Sequence, residues 1–304
     1  MKRTLLLPVS ILLLSLLACS LPGTTLPTPG TPVPGITPPA AELDLSLLGN
    51  ATYTLEGCDG TPQAFALTGG SYASGPDPLA VGYTAVTLGD QLAPGDLNFD
   101  GAGDAAVILG VNCGGTGVFT YIAAVLNSGG TPVMAAAVFI DDRPLIDNLA
   151  ISAGEISADI LIHGPDDPLC CPALQTRQGY RLYASQLILT HLARQTPAGS
   201  MRTITIGSAA DLSEAAYPLT VSGSTSIGPF ENTLGYNIYT EDNTLVTRGS
   251  VMTDSPNPGD PGNFSLTTDL SLAGVFGRVR IEFFETSMAD GSILALDSVL
   301  VRIP

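Results

Sequence analysis

Glycine and proline together fill about one position in five, with 34 Gly and 24 Pro among 304 residues. In a helix interior Gly costs about 1 kcal/mol and Pro about 3 relative to Ala, so a chain punctuated this often has no room for long helices. What lies between the breakers is short and rich in β-branched and aromatic residues, which suit a pleated surface. From Leu43 to Thr190 the strand-like runs are Ala51–Leu55, Gln63–Leu67, Tyr83–Leu88, Ala105–Val111, Val118–Asn127, Val133–Phe139, Ile156–Ile162, Tyr180–Ala184 and Leu187–Thr190. Cys58-Asp59-Gly60, Ser128-Gly129-Gly130 and Ala153-Gly154 stand between runs where hairpin turns need residues at positive φ. Ala135–Ala137 is helical by propensity, but its Val and Phe neighbours make it a strand. The pattern predicts an all-β protein whose residues 43–195 form an antiparallel β domain.

The polar segment Gln195–Met201, with Pro197 and Gly199, marks a second boundary. Residues 201–304 hold seven further runs: Thr203–Ile206, Leu219–Ser224, Thr233–Thr240, Leu245–Met252, Asn263–Thr267, Arg278–Glu285 and Ala295–Ile303. Seven strands in about 100 residues is the size of an immunoglobulin-like β-sandwich. No Cys follows Cys171, so this sandwich must close on apolar packing alone. Val221-Ser222-Gly223, Phe230-Glu231, Gly262-Asn263-Phe264 and Asp290-Gly291-Ser292 follow one another along it. In that order the region resembles the immunoglobulin-like domain of bacterial spore germination, often found beside the germination module called GerMN. The resemblance implies a cell-surface module for binding or assembly, without catalysis. Gly223 is expected to end and turn a strand, Phe230 to plug the core, and Asp290-Gly291 to form a hairpin.

The N-terminus reads as an export signal. Lys2 and Arg3 precede an apolar run, Leu5–Leu17, too short for the roughly 20 residues a bilayer span needs. The exit, Leu16-Leu17-Ala18-Cys19, resembles the lipobox of bacterial lipoproteins. That resemblance implies a signal peptide at 1–18 and an acyl lipid on Cys19 that anchors the chain to a membrane. Residues 19–42 are a Pro/Thr-rich tether with too few donors and apolar groups to fold. As polyproline II, at about 3.1 Å per residue, the tether reaches roughly 70 Å. Acids outnumber bases 28 to 11, a net charge of −17. Such a chain repels phosphate backbones, which excludes a nucleic-acid binder; the partner expected of an exported surface protein is an unknown envelope protein or polysaccharide.

The most chemically specific string is Gly95 to Asp104, GDLNFDGAGD. Asp96, Asn98, Asp100 and Asp104 take positions 1, 3, 5 and 9 of a Ca²⁺-loop frame, with Gly101 at the sharp turn and the Ala102 carbonyl as a further oxygen. The loop resembles those of FG-GAP repeats and dockerins. It departs from an EF-hand: Val107 replaces the closing Glu, and the apolar run that follows is a strand. The expectation is a structural Ca²⁺ site, against an Asx-rich turn with solvated acids. The run from Gly95 through Gly130, with HGPDDPLCCP after it, resembles an uncharacterised module of secreted bacterial lipoproteins.

Beyond Cys19 there are Cys58, Cys113, Cys170 and Cys171. Four Cys allow three pairings, and export permits disulfides. Cys58 and Cys113 both flank Gly-rich turns, which makes a 58–113 bridge the first choice and leaves Cys170 and Cys171 as a vicinal disulfide or two thiols. A second reading is an exported hydrolase or redox protein using His163 with Cys170 and Cys171. Against it, no G-x-S-x-G, H-E-x-x-H or P-loop string occurs. Asp141/Asp142 and Asp166/Asp167 sit in turn-like, Pro-adjacent contexts and read as exposed, as does His191. The leading expectation is a non-enzymatic lipoprotein presenting two β modules.

Overall fold

The computed structural model describes residues 42–304. The expected signal peptide, Cys19 and the tether up to residue 41 lie outside the described residues. The chain enters through a short 3-10 turn, Leu45–Asn50, whose Ser46 N–H is capped by the Asp44 carboxylate. A hairpin follows, β1 (Thr52–Glu56) and β2 (Pro62–Ala66). Its turn is fixed by Asp59, which accepts the Thr61 N–H at 3.0 Å, and by Gly60 at φ 75°.

Next comes a five-stranded antiparallel sheet in sequence order: β3 (Ser71–Ala73), β4 (Ala85–Gly95), β5 (Asp104–Asn112), β6 (Phe119–Ser128) and β7 (Thr131–Asp142). Strands β5 and β6 are buried on both faces, which is why they read as nearly unbroken apolar runs rather than alternating ones. Their alanines divide between two cores. Ala105 and Ala123 meet Leu48, Tyr53, Leu55 and Phe65 on one side. Ala106 and Ala124 meet Ile156, Ile160, Tyr180 and Leu187 on the other. That second layer is built by β8 (Leu145–Ser152), β9 (Glu155–Ile162), β10 (Leu174–Tyr183) and β11 (Gln186–Gln195). Ser128-Gly129-Gly130 turns β6 into β7 with its glycines at φ 64° and 93°, and Ala153-Gly154 turns β8 into β9 at φ 49° and 74°.

The chain then reverses through a closed turn, Thr196 N–H to Ser200 O at 2.8 Å, into the short β12 (Met201–Arg202). Seven strands follow: β13 (Ile204–Ile206), β14 (Leu219–Thr225), β15 (Thr233–Thr240), β16 (Leu245–Met252), β17 (Gly262–Thr268), β18 (Gly277–Thr286) and β19 (Ile293–Ile303). They match the seven expected runs to within two residues at every end. A β13-β14-β17 sheet faces a β16-β15-β18-β19 sheet across Val221, Leu234, Ile238, Phe264, Ile281, Phe283 and Val301. The protein is all-β, and this part is an immunoglobulin-like sandwich closed without a disulfide.

Two side-chain expectations fail here. Phe230 does not plug the core; it lies in a single 3-10 turn and is 57% exposed. Gly223 does not end a strand. It sits inside β14, where a Cβ would come within 2.2 Å of the Thr205 carbonyl and 2.6 Å of the Phe264 ring. Close backbone approach, not turning, is what demands glycine there.

The two halves share a sheet. Strand β11 pairs with β19 at His191↔Asp297 and Leu192↔Leu296, so β8–β12, β15, β16, β18 and β19 belong to one nine-stranded sheet and the described residues form one compact unit. Arg280 is the buried centre of this junction, 2% exposed. Its guanidinium lies 4.2 Å from the ring centroid of Tyr239 and 5.2 Å from that of Tyr183. It donates to the Glu282 carboxylate and, at 2.6 Å, to the Asn243 carbonyl oxygen. Removing one partner of a buried pair strands the other charge and costs about 3–5 kcal/mol. Arg280→Ala is therefore expected to lower the urea-derived unfolding free energy by about that amount, while Arg248→Ala on the exposed edge strand β16 stays within about 0.5 kcal/mol of the parent. Equal effects of the two substitutions would show that the buried pair does not hold the junction.

Candidate functional site

Between β4 and β5 the loop Asp96–Gly103 closes on its own amides. Asp96 accepts the Phe99 N–H at 2.7 Å through Oδ1 and the Gly101 N–H at 3.0 Å through Oδ2. Asn98 Oδ1 accepts the Asp100 N–H at 3.0 Å, and its Nδ2 donates to Asp100 Oδ2 at 2.9 Å. Asp100 Oδ1 accepts the Ala102 N–H at 2.7 Å. Phe99 at φ 61° and Gly101 at φ 83° take the left-handed positions that let alternate side chains converge. The Ala102 amide and the Asn98 side chain hold the Asp100 carboxyl below its ordinary range.

Asp104 behaves differently. It is 1% exposed and faces the core. Its Oδ2 accepts the Leu97 N–H and its Oδ1 the Asn127 N–H, each at 2.9 Å, which pins the loop to β6. Burial pushes its carboxyl up; the two amides pull it down, and the charges of Asp100 and Asp96 add to the upward push. Among the described residues no three His, Cys, Asp or Glu side chains converge as a metal-holding group. The remaining donors, Asp96, Asn98, Asp100 and the Ala102 carbonyl, are all hard oxygens, and a carboxylate oxygen that accepts one amide keeps a second lone pair. Their chemistry suits a hard cation, with Asp104 as the anchor of the loop.

Sequence reasoning passed over Phe99, the apolar residue inside this polar loop. Its ring fills the space above Gly154, where a Cβ would lie 2.3 Å from it, and the Arg278 guanidinium sits 5.3 Å from its centroid. Arg278 also reaches Glu241 at 3.4 Å. The loop tip, the β8–β9 turn and β18 thus enclose a hollow of about 300 Å³ that Arg181 and Tyr183 also line.

The cysteines pair as Cys58–Cys113, with Cα atoms 5.6 Å apart, and as the adjacent Cys170–Cys171. The second bond lies exposed on the loop that follows His163. Asp141 and Asp142, expected on the surface, are partly buried and engaged. Asp141 Oδ2 accepts the His163 N–H at 2.6 Å and faces its Nδ1 at 2.9 Å. Asp142 binds Arg143 through two contacts, and Arg143 reaches over to the Leu169 carbonyl at 2.6 Å. The hydrogen bond that Asp141 accepts from it raises the His163 pKa, against the opposing effect of burial. His163 Nε2 is buried and without a hydrogen-bond partner. With Cys170 and Cys171 bonded to each other, the loop after His163 offers it no free thiol among the described residues. His191, expected as a surface residue, instead sits at the junction 3.3 Å from Asp297.

One stretch of the chain has a recognisable kinship. Residues 204–292 match the immunoglobulin-like domain of bacterial spore germination. The match covers β13 through β18 and ends just before β19; the family is non-catalytic. No curated protein matches the chain.

The His163 pair makes a pH-dependent prediction. A histidine whose folded pKa is raised adds stability that is present below its ordinary value of about 6.5 and is lost as pH rises through the folded pKa. His163→Gln is expected to lose more stability at about pH 5.5 than at about pH 8.5, read by urea unfolding at each pH. An equal loss at both would mean that the charged form is not the one Asp141 favours.

Proposed function

We propose that this protein is a membrane-anchored extracytoplasmic lipoprotein, non-enzymatic, whose β body presents surfaces for an envelope protein or polysaccharide. The observation that carries the reading is the succession at the N-terminus: Lys2-Arg3, the apolar run to Leu17, Leu16-Leu17-Ala18-Cys19, then a Pro/Thr-rich tether. Stable anchoring takes two acyl chains or their equivalent, at about 0.8 kcal/mol per buried CH₂. A matched immunoglobulin-like domain of bacterial spore germination supports placement outside the cytoplasm. So do two disulfide pairs, since such bonds persist in oxidising compartments. The family's name is no warrant for a germination role, because fold does not carry function. Residues 43–195 and 201–304 act as one platform, held off the membrane by the tether. Cys19→Ala is expected to move the chain from the membrane fraction to the soluble fraction and to remove the acyl mass from its N-terminal peptide. Unmodified parent chain in the soluble fraction would sink the reading.

The loop at Asp96–Asp104 takes a structural Ca²⁺, with Asp96, Asn98, Asp100 and the Ala102 carbonyl as protein ligands. Outside the cell even a site of 10⁻⁴–10⁻³ M affinity is filled. At about ten times its dissociation constant a ligand adds roughly 1.4 kcal/mol to the folded state, or about 2–4 °C in the midpoint for a chain this size. Calorimetry is expected to show that rise on adding calcium over chelator, and to lose it in Asp100→Asn. A midpoint indifferent to calcium would leave an Asx-rich turn.

A further inference from the structure

A separate feature lies at the other face of the five-stranded sheet. Three rings gather where β6 and β7 leave their register. Phe119 and Tyr121 alternate along β6, and Phe139 pairs directly with Tyr121 across a bulge between Thr120 and Tyr121. Bulges of this kind re-aim side chains. The Phe139 ring stands 5.5 Å from that of Tyr121 at 63° and 6.3 Å from that of Phe119 at 55°. Inclined rings present faces as well as edges. Phe139 is 50% exposed and Phe119 38%, in a chain whose aromatic residues are only 6% of the total.

These rings wall one side of a hollow of about 390 Å³. The opposite side is the β1–β2 turn, with Glu56, held against the end of β5 by the Cys58–Cys113 bridge. No Arg or His lines it. The Glu56 carboxylate is exposed and has no hydrogen bond or ion pair among the described residues; its charge adds to burial in pushing up the Tyr121 hydroxyl. An aromatic face carries negative quadrupole density and draws cations, quaternary ammonium groups above all. An unpaired carboxylate beside three such rings, on a molecule of net charge −17, adds attraction of the same sign.

We propose that the hollow formed by Glu56, Phe119, Tyr121 and Phe139 binds a small organic ammonium ion of choline size. The rings take the methylated head by cation–π contact and Glu56 balances its charge. The disulfide keeps the two walls in place before the ligand arrives, which lowers the ordering cost of binding. This site does not depend on lipid at Cys19 or on calcium at the loop.

The test is a titration of the protein with tetramethylammonium and choline, followed by NMR shifts of the ring protons. The neutral isostere 3,3-dimethylbutan-1-ol serves as control. Saturable shifts with both cations, and binding of the alcohol at least fivefold weaker, are expected. Glu56→Gln and Phe139→Leu, both at exposed positions, should each weaken the cations about fivefold or more while leaving the thermal midpoint near the parent's. Phosphatidylcholine vesicles, added to the unlipidated Cys19→Ala chain, separate a free ion from a lipid headgroup as the source: co-sedimentation lost on adding Phe139→Leu assigns the headgroup, and its absence beside choline binding assigns the free ion. Equal affinity for the alcohol, or no saturation by either cation, overturns the proposal.

Discussion

Two residue pairs, His191–Asp297 and Leu192–Leu296, make one sheet out of two halves. So short a ladder would be weak alone, and the side chains around it do the rest. Asp297 faces His191 Nδ1 through one carboxylate oxygen and accepts the Ile206 N–H through the other, joining β11, β19 and β13. Asp211 accepts from Arg181 at 2.5 Å and from the Leu300 N–H at 2.9 Å, joining β10 to β19. Arg194 donates to the Ile293 carbonyl, and Arg202 holds the buried Glu285 with both carboxylate oxygens. Burial would otherwise make that Glu285 charge costly, and its carboxyl is pushed up for that reason. Arg181, Arg194, Arg202, Arg278 and Arg280 are five of the chain's eleven basic residues. Concentrating scarce cations along one seam fixes the halves in register. It also thins the counter-charge on the outer faces, where Arg177, Arg248 and Arg302 remain exposed.

The middle sheet sets where everything else stands. Because β5 and β6 are covered on both sides, their ends are the places where the chain can open to solvent. At one end β4 hands over to β5 through the acidic loop; at the other, β5 runs into Cys113 and β6 begins at Phe119. Both candidate sites therefore rest on rigid strands and are tied down by groups outside their own loops. Asn127 of β6 anchors the acidic loop through Asp104, and the Cys58 bridge anchors the aromatic hollow. Sites held this way lose little entropy on binding.

How much of this was legible in the sequence depended on range. Strands with strong apolar character were visible because burial writes itself into local pattern, and the sandwich strands from Ile204 to Ile303 are the clearest case. Strand β8 was missed because it is barely buried: Asp147 and Asn148 interrupt it at a bulge, so no alternation survives. The two-residue β12 and three-residue β3 are too short to carry a pattern at all. The spacing of Asp96, Asn98 and Asp100 showed that they share a loop. It did not show that Asp104 turns inward, because its partner Asn127 lies 23 residues on. Gly223 and Phe230 were misjudged for a related reason. What surrounds a residue across a sandwich is set by strands distant in sequence, and local pattern reports only the likeliest role of the residue type. The junction itself is the extreme case, pairing residues more than a hundred positions apart.

The charge distribution that follows from the junction bears on what the surface selects. With acids outnumbering bases 28 to 11 and five of those bases held at the seam, the body meets its surroundings as a polyanion. At physiological ionic strength that field is screened within about 8 Å, so it acts on what is already close. A polyanionic polymer at that distance is repelled unless a divalent cation sits between. A cationic head or a bound Ca²⁺ is drawn in and desolvated where local geometry allows. As proposed, the acidic loop supplies oxygens for the second and the Glu56 hollow supplies rings for the first. The two features differ in chemistry but answer to the same field.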